Sequence, residues 1–298
     1  MYRLRTLRRV KGRLKIRIHR LLVVILLSSI IFVAVLMLFT MITFGVSTIP
    51  KFQEETVGVG RLIICGRKSD STPGLIIIHG GRASSEVAVE YCRSFYDKLG
   101  GLGFTIISID YPDNLTLIDE VNYVVQAFEY IETRHLVDYE RTCLIGASRG
   151  GYLALMAGAM TSVKCVVAAY APTDLDALFN HARKEPGLWA EWGRYYTSLM
   201  RYIEGNGLNK TLVIRELSPL NNAGKIKGNV LLMHGLRDET IPPEHSVLLG
   251  EAFQKLGKKN YVVKLYEGET HGFSLLKGKP YEDLKEFLQR FLELENYQ

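Results

Sequence analysis

The sequence has few cysteines and none of the spacings that bind metals. Its 298 residues include four cysteines, with no C-x-x-C pair and no cysteine–histidine cluster at ligand spacing. A metal site is therefore not predicted, and the sequence indicates no cofactor. Cys65, Cys143 and Cys165 lie in apolar, strand-like runs. Because free cysteine is among the most buried residue types, this position predicts that the three side chains are buried. The even count, with Cys92 as the fourth, leaves one disulfide open as the alternative.

Acidic residues are missing from the start of the chain. Residues 1–20 contain nine Lys or Arg side chains and no Asp or Glu. Without these nine cations the formal net charge falls from +6 to −3. The basic balance therefore belongs to this tail and not to the rest of the protein, so it does not indicate a nucleic-acid partner.

Charge of either sign is absent from Leu21 to Val46. This stretch exceeds the roughly 20 residues that cross a bilayer core. It is also longer than the apolar part of a cleaved signal peptide, about 7–15 residues, and no A-x-A site follows it. These features predict one transmembrane anchor in contact with membrane lipid, with cleavage near Gly45 and Ser47 as the alternative. Because the cations precede the apolar stretch, we expect the tail in the cytoplasm and the rest of the chain outside.

The remainder of the sequence, after a short polar linker at residues 47–56, alternates between two patterns. Strand-like runs within residues 57–298 are continuously hydrophobic, which is typical of strands buried on both faces. Their alternation with helical patterns predicts a doubly wound, mostly parallel α/β sheet. Residues 173–226 interrupt the alternation, and we expect a helical insertion there, over the carboxyl ends of the strands. The predicted strands are Leu75–His79, Phe104–Asp110, Thr142–Gly146, Lys164–Tyr170, Val230–His234 and Tyr261–Tyr266. The predicted helices include Ser85–Leu99, Leu117–His135, Gly150–Met160, Pro243–Leu256 and Tyr281–Leu294.

The pentapeptide Gly146-Ala147-Ser148-Arg149-Gly150 has the pattern G-x-S-x-G. It follows an apolar run and opens a helix-like stretch, which is the strand–turn–helix setting of a nucleophile elbow. Such a turn is sharp and leaves little space beside its two glycines. The serine lies at a helix N-terminus, where the helix dipole favours developing negative charge. Ser148 is the candidate nucleophile, and a glycine-rich turn with a capping serine is the alternative.

A serine hydroxyl needs an adjacent base to become a useful nucleophile. Behind an elbow of this kind the chain order is nucleophile, acid, histidine. Asp238 and His271 follow in that order, each just past the carboxyl end of a predicted strand. We therefore expect His271 to be the general base and Asp238 to orient it. Asp174, which follows another predicted strand, is the rival acid, whereas Asp110 precedes the nucleophile and is expected to be structural.

A hydrolase of this type must also stabilise a negatively charged oxygen. The run His79-Gly80-Gly81 follows an apolar strand, and glycine lets the backbone approach a ligand closely. Backbone N–H groups near Gly81 and at Arg149 are the predicted oxyanion donors. An ordinary tight turn at Gly80 and Gly81 is the alternative.

Three aromatic residues of the insertion recur at helical spacing, namely Trp189, Trp192 and Tyr196. We predict that they form an apolar lid over a substrate pocket. Packing of their helix onto the domain is the alternative.

Several of these segments together closely resemble the catalytic domain of the prolyl oligopeptidase family, which includes dipeptidyl and acylaminoacyl peptidases and is related to dienelactone hydrolases. The resemblance covers roughly residues 57–298 and implies an α/β-hydrolase fold with Ser148, Asp238 and His271 as the triad. The matching segments, in chain order, are His79-Gly80-Gly81, Gly146-Ala147-Ser148-Arg149-Gly150-Gly151, Ser218-Pro219-Leu220, His234-Gly235-Leu236-Arg237-Asp238 and Glu269-Thr270-His271-Gly272-Phe273.

The sequence also departs from this family. It leaves no room for the β-propeller of the larger members, Arg82 stands where proline often follows His-Gly-Gly, and no glutamate pair for a free amino terminus is found. The expected function is a membrane-anchored serine hydrolase acting on small peptides or esters, with a peptidase favoured and a carboxylesterase as alternative. Dienelactone hydrolase chemistry fits less well, because those enzymes usually use cysteine. A catalytically inactive, membrane-tethered binding module is the alternative from another class, although all three triad candidates are present.

Overall fold

A computed structural model describes residue 32 and residues 52–81 and 85–292 of the chain. The fold given below belongs to the unit Pro50–Gln298. The predicted basic tail (1–20), the predicted anchor (21–46, apart from residue 32) and residues 47–51 of the predicted linker lie outside the described residues. Within the described part, no helix is both long enough and apolar enough to cross a membrane.

Eight strands form one mixed sheet in the order β1-β2-β4-β3-β5-β6-β7-β8. The two pairs that involve β2 are antiparallel, and all the others are parallel. The parallel strands carry the continuous apolar runs that the sequence shows, so both of their faces are covered by helices. The strands are β1 Gln53–Val57, β2 Gly60–Cys65, β3 Pro73–Ile78, β4 Thr105–Asp110, β5 Asp138–Ala147, β6 Cys165–Ala169, β7 Asn229–Gly235 and β8 Tyr261–Tyr266.

Among residues 52–81 and 85–292, eight α-helices cover the sheet in two layers. Helices α1 and α8 pack on one face, and the other helices share a second apolar core on the opposite face. The helices are α1 Ser85–Leu99, α2 Leu117–Thr133, α3 Arg149–Met160, α4 Leu175–Ala182, α5 Pro186–Gly205, α6 Lys210–Glu216, α7 Glu244–Lys255 and α8 Gly278–Phe291, with short 3₁₀ turns at Gly100–Leu102 and Pro219–Asn222. The doubly wound α/β architecture predicted from the sequence is therefore confirmed.

The insertion at residues 173–226 is helical throughout its regular parts, as predicted. It consists of α4, α5, α6 and the second 3₁₀ turn, and it carries no strand. The predicted linker, however, extends too far at its C-terminal end. Gln53–Thr56 belong to β1, which pairs with β2 at the edge of the sheet. The strand escapes prediction because its side chains are mostly exposed and polar, unlike those of the central strands.

All four cysteines are buried, as predicted for Cys65, Cys143 and Cys165, and they are paired. Cys65 of β2 bonds Cys92 of α1, with a Cα–Cα distance of 5.9 Å. Cys143 and Cys165 face each other across the β5–β6 register and form the second disulfide. The sequence left one disulfide open and could not give a pairing, because partners come together only when the sheet forms.

Candidate active site

Ser148 lies between the end of β5 and the start of α3, with backbone angles φ 54° and ψ −124°. A positive φ is uncommon outside glycine and marks a constrained turn. A Cβ atom on Gly146 would come within 2.0 Å of the Gly150 carbonyl oxygen, and one on Gly150 within 2.1 Å of the Ile78 oxygen. Both glycines of the G-x-S-x-G pattern are therefore required by space, as expected for a nucleophile elbow.

The three predicted triad residues form one continuous hydrogen-bonded row. Ser148 Oγ lies 3.0 Å from Nε2 of His271, and Nδ1 of the same imidazole lies 2.8 Å from Oδ2 of Asp238. With Nδ1–H donating to the carboxylate, Nε2 is free to accept the serine proton. Strands β5, β7 and β8 run parallel, so the loops after them meet at one edge of the sheet and bring together residues up to 123 positions apart.

Asp238 is buried and richly hydrogen-bonded. Its Oδ1 accepts backbone N–H groups from Thr240 and Ile241 at 3.0 and 2.9 Å, and Nε2 of His234 lies 3.3 Å from Oδ2. Burial alone would raise the pKa of Asp238, but the hydrogen bonds from His234, His271 and the Ile241 backbone outweigh it and hold the pKa well below the usual range. The carboxylate is thus kept ionised to orient His271.

His234 is a contributor to this site that the sequence analysis did not identify as one. Its Nε2 lies 2.8 Å from the Ile241 carbonyl oxygen. The same ring also approaches Asp238, while Nδ1 lies 2.7 Å from the Ser246 hydroxyl. Its spacing four residues before the predicted acid was the available signal.

The rival acid, Asp174, has a different task. Its side chain caps α4 by accepting the N–H groups of Asp176 and Ala177 at 3.0 and 3.2 Å. Asp110, expected to be structural, is bonded to the guanidinium of Arg61 at 2.9 and 3.1 Å. Of these candidate acids, Asp238 is the one that contacts the histidine.

The predicted oxyanion donors lie on segments that adjoin Ser148. Gly80 is so close that a Cβ atom there would come within 2.5 Å of the Ala147 oxygen and 3.1 Å of Ser148 Cβ. Gly81 has a φ of +61°, a left-handed conformation that favours glycine. Arg149 opens α3, and N–H groups in the first turn of a helix have no intrahelical partner. Both segments therefore have the backbone character that an oxyanion hole requires.

Tyr170, at the end of β6, supports the histidine loop. It has a φ of 39°, and its hydroxyl donates to the carbonyl oxygen of Phe273 at 3.3 Å. The two aromatic rings meet edge to face, with centroids 4.9 Å apart. Nothing in the sequence distinguishes this tyrosine from other strand-end residues, because its role depends on a loop about a hundred residues away.

A cavity of about 240 Å³ opens beside the triad. Its walls include Ala147 and Gly272, the chain neighbours of Ser148 and His271, together with apolar side chains. The lining is mixed, because Glu90, Ser94 and Ser274 also contribute to it. Concave spaces that combine apolar walls with a few polar groups are typical of small-molecule sites. The apolar wall is formed by Tyr91, Phe95, Tyr170, Phe273, Leu275 and Leu276.

The three insertion aromatics predicted to bind substrate are not in the walls of this cavity. Trp192 is 1% exposed and packs against Tyr195 in the core, so the prediction is corrected for this residue in favour of helix packing. Trp189 and Tyr196 lie against each other and against the guanidinium of Arg183. Helical spacing showed that the aromatics share a face but not what that face meets.

No group of His, Cys, Asp and Glu side chains that could hold a metal ion occurs within the described ranges. A nucleophile, a base within hydrogen-bonding reach and an orienting acid support acyl transfer. The fold and these groups together define the α/β-hydrolase fold with a serine–histidine–aspartate row at one edge of its sheet.

Comparison with known proteins identifies the family. The model of the prolyl oligopeptidase family matches residues 118–295, and the chain belongs to that family. It is 20% identical over 242 residues to acylamino-acid-releasing enzyme 1 of rice, covering 76% of this chain but 30% of the rice enzyme. It is 25% identical over 228 residues to esterase LipC of Mycobacterium tuberculosis, covering 69% of this chain and 53% of the esterase.

The chain thus spans about a third to a half of these relatives. In fold it is similar to a puromycin-hydrolysing peptidase of M. tuberculosis, with a TM-score of 0.65 at 20% identity over 84% of this chain and 40% of the other. Similar proteins therefore include both peptidases and esterases.

Proposed function

We propose that this protein is a membrane-anchored serine hydrolase that cleaves peptide or ester bonds through an acyl-enzyme on Ser148. The observation that carries the proposal is the hydrogen-bonded row from Ser148 through His271 to Asp238, at 3.0 and 2.8 Å. A serine whose neighbouring base is oriented by a buried carboxylate is equipped for nucleophilic attack. Membership of the prolyl oligopeptidase family supports the same chemistry.

In the acylation step His271 Nε2 takes the proton of Ser148 as Oγ attacks the substrate carbonyl carbon. The carbonyl oxygen becomes an oxyanion, which the N–H groups of Gly81 and Arg149 would stabilise by about 2.7–4 kcal/mol for each donor. His271 then gives its proton to the departing amine or alcohol, and the C–N or C–O bond breaks. Asp238, kept ionised, stabilises the imidazolium while it exists.

Deacylation repeats the sequence with water in place of the serine hydroxyl. His271 accepts a proton from the water that attacks the acyl carbon, and the same two N–H groups stabilise the resulting oxyanion. The bond to Ser148 Oγ then breaks, and the imidazole returns the proton to that oxygen. The acid is released and the site returns to its starting state. The cavity is lined by Ala147 and Gly272, the chain neighbours of Ser148 and His271, and it provides space with a partly apolar wall next to the triad.

Within this class we favour a peptidase on the family relationship, with a carboxylesterase as the alternative. The matched similarity to esterase LipC supports the alternative. Turnover of matched substrates separates the two, such as an N-acyl amino-acid p-nitroanilide and the p-nitrophenyl ester of the same acyl group. A kcat/KM for the anilide that is comparable with that for the ester supports a peptidase, whereas hydrolysis of the ester alone supports a carboxylesterase.

A fluorophosphonate probe tests the hydrolase proposal against an inactive binding module. The probe reacts with an activated serine, so the wild-type protein should be labelled and Ser148→Ala should not. Ser148→Ala should also lower turnover by about 10⁶-fold, the scale known for triad serines, without unfolding the protein. An unlabelled wild-type protein that is otherwise folded overturns the hydrolase proposal in favour of the binding module.

We further propose that the anchor places this site outside the cytoplasm. The uncharged run from Leu21 to Val46 and the nine cations before it support this orientation. The two disulfides also support it, because structural disulfides persist in oxidising compartments and are rare in the cytosol.

A further inference from the structure

The side chain of Arg149, which follows Ser148, is buried. Only 1% of it is exposed, although it is a guanidinium. It donates through Nη1 to the Tyr195 hydroxyl, and its Nε lies 3.6 Å from Oε2 of Glu120. It also lies over the ring of Tyr111, 5.6 Å from the centroid, a cation–π distance. One residue of the elbow is thereby tied to three other parts of the chain.

Glu120 and Tyr195 close this arrangement into a ring of contacts. The Tyr195 hydroxyl donates to Oε1 of Glu120 at 2.7 Å, and the carboxylate is fully buried. Burial raises the pKa of Glu120 to about 7, against the opposing pull of Arg149. A buried ion pair of this kind is weak evidence for stability, because desolvation cancels much of its attraction. Its location next to Ser148 suggests that position, rather than stability, is what it provides.

Tyr111 extends the contacts to the other side of the elbow. Its hydroxyl donates to the carbonyl oxygen of His79 at 2.6 Å. The rings of Tyr111 and His79 are stacked, with their centroids 4.5 Å apart and an angle of 2° between their planes. His79 immediately precedes Gly80 and Gly81. The same buried group therefore holds both backbone segments that carry the expected oxyanion donors, Arg149 on one side and Gly81 on the other.

We propose that Arg149, Glu120, Tyr195 and Tyr111, here called the Arg149 cluster, fix the relative placement of the two oxyanion N–H donors. The inference rests on the proposed hydrolase function. Oxyanion donors act only when they are held about 2.7–3.1 Å from the position the charged oxygen will occupy. A displacement of about 1 Å can lower the rate on the order of 10²-fold. The cluster side chains are positioning residues, since none of them is expected to touch the substrate.

Tyr195→Phe and Tyr111→Phe test the two sides of the cluster separately. Each removes one hydroxyl and keeps the ring, so each should fold. Each should lower kcat about 10- to 100-fold, with KM for p-nitrophenyl butyrate changed by less than about threefold, because donor placement matters most in the transition state. Arg149→Lys, which keeps the charge, should retain more activity than Arg149→Met.

The matched control is Tyr123→Phe. Tyr123 lies on α2 close to Glu120, is equally buried, and donates its hydroxyl to the Asp110 carbonyl oxygen at 3.3 Å. The substitution removes the same group outside the Arg149 cluster. It should leave kcat within about twofold of the wild type, while its unfolding temperature shows what loss of one buried tyrosine hydroxyl does to stability.

Binding of phenylboronic acid to the purified full chain supplies the readout that a structural role would not change. The tetrahedral boronate on Ser148 places an oxygen in the oxyanion hole, so its inhibition constant should rise in parallel with KM/kcat across the variants. Folded Tyr195→Phe and Tyr111→Phe proteins with wild-type kcat and boronate affinity overturn the inference. A wild-type protein that is inert to ester and to fluorophosphonate instead overturns the proposed function, and the inference falls with it.

Discussion

The phenol ring of Tyr170 lies edge-on to the imidazole of His271, with the ring centroids 4.9 Å apart. Tyr170 is buried, and its left-handed backbone turns the chain at the end of β6. The imidazole is therefore oriented from two directions, by the carboxylate of Asp238 at Nδ1 and by this ring on its side. The base of a serine hydrolase must keep Nε2 aimed at the nucleophile, and both contacts serve that alignment.

Replacing Tyr170 should separate ring packing from hydrogen bonding. Tyr170→Leu removes the edge-on contact, and misalignment of the base should lower kcat/KM on the order of 10²-fold. Tyr170→Phe keeps the ring and removes only the bond to Phe273, so it should cost about 1 kcal/mol of unfolding free energy and little activity. Ester turnover and urea unfolding of both variants measure the two effects. Equal activity of the two proteins would show that the ring does not orient His271.

The two candidate acids should respond in opposite ways. Asp238→Asn should lower kcat about 10⁴-fold, because the amide favours the wrong histidine tautomer. Asp174→Ala should keep its activity and lose about 1 kcal/mol of stability, since it removes only the cap of α4. Steady-state kinetics and thermal unfolding of each variant provide the test, and a reversed ranking of activities would move the acid role to Asp174.

The sequence was sufficient to predict the row of triad residues but not the contacts that hold it. Ser148, Asp238 and His271 follow parallel strands, and a parallel sheet forces its strand ends to one edge. Tyr170 and Glu120 belong to no local pattern. Their roles depend on which side chains meet after the helices pack, information that a linear motif does not contain.

The same limit explains the errors in the fold. The central strands are buried on both faces and are visible as apolar runs. Strand β1 pairs on one side only and is mostly exposed, so its sequence QEETV looked like linker. The spacing of Trp192 defines a helix face but not what that face contacts, and in the structure this side chain lies in the core and not at a pocket.

Acidification should destabilise the fold through two buried histidines. Burial lowers the pKa of both His79 and His245 to about 4, whereas in the unfolded chain they titrate near 6.5. Between these values the unfolded chain binds more protons, so stability falls as the pH drops from about 6.5 to 4, by about 3 kcal/mol for each histidine. Glu120, whose pKa is raised to about 7, takes up a proton in the folded state as the pH falls. This uptake offsets the loss of stability from about one of the two histidines.

His245 permits a direct test, because Thr173 and Asp174 donate backbone N–H groups to its Nδ1 and no catalytic contact is involved. The wild-type unfolding free energy should decrease from pH 6.5 to 4. In His245→Gln the slope should be smaller by up to about 1.4 kcal/mol per pH unit, the value for one proton. Urea unfolding at several pH values measures both slopes. Identical slopes in the two proteins would exclude His245 as the titrating group.

The two disulfides should contribute to stability and be detectable chemically. They close loops with sequence separations of 27 and 22 residues, for which loss of one bond typically costs about 2–5 kcal/mol. Protein purified without reductant should present no thiol to a maleimide reagent when denatured, and four after reduction. A lower unfolding temperature in dithiothreitol should accompany the change. Four reactive thiols in the unreduced, denatured protein would show that the cysteines are free.

The anchor should be separable from the chemistry. The described strands and the three triad candidates all lie at or after Gln53, so a truncated protein starting near Ser47 should keep its activity on small esters. Without the nine cations its formal charge is −3. The full-length protein should resist extraction by high salt and by carbonate and require detergent, because a spanning helix is held by burial and not by charge.

Protease treatment of intact cells tests which side of the membrane carries the triad. Nine cations before the apolar run predict a cytoplasmic N-terminus, and two disulfides fit an oxidising compartment on the other side. Protease added to intact cells, with any outer barrier made permeable, should digest the hydrolase domain and spare a tag placed at the N-terminus. A cytoplasmic marker protein serves as the control for lysis. A domain that is digested only after lysis would reverse the proposed orientation and leave the hydrolase assignment unchanged, because no residue of the triad belongs to the anchor.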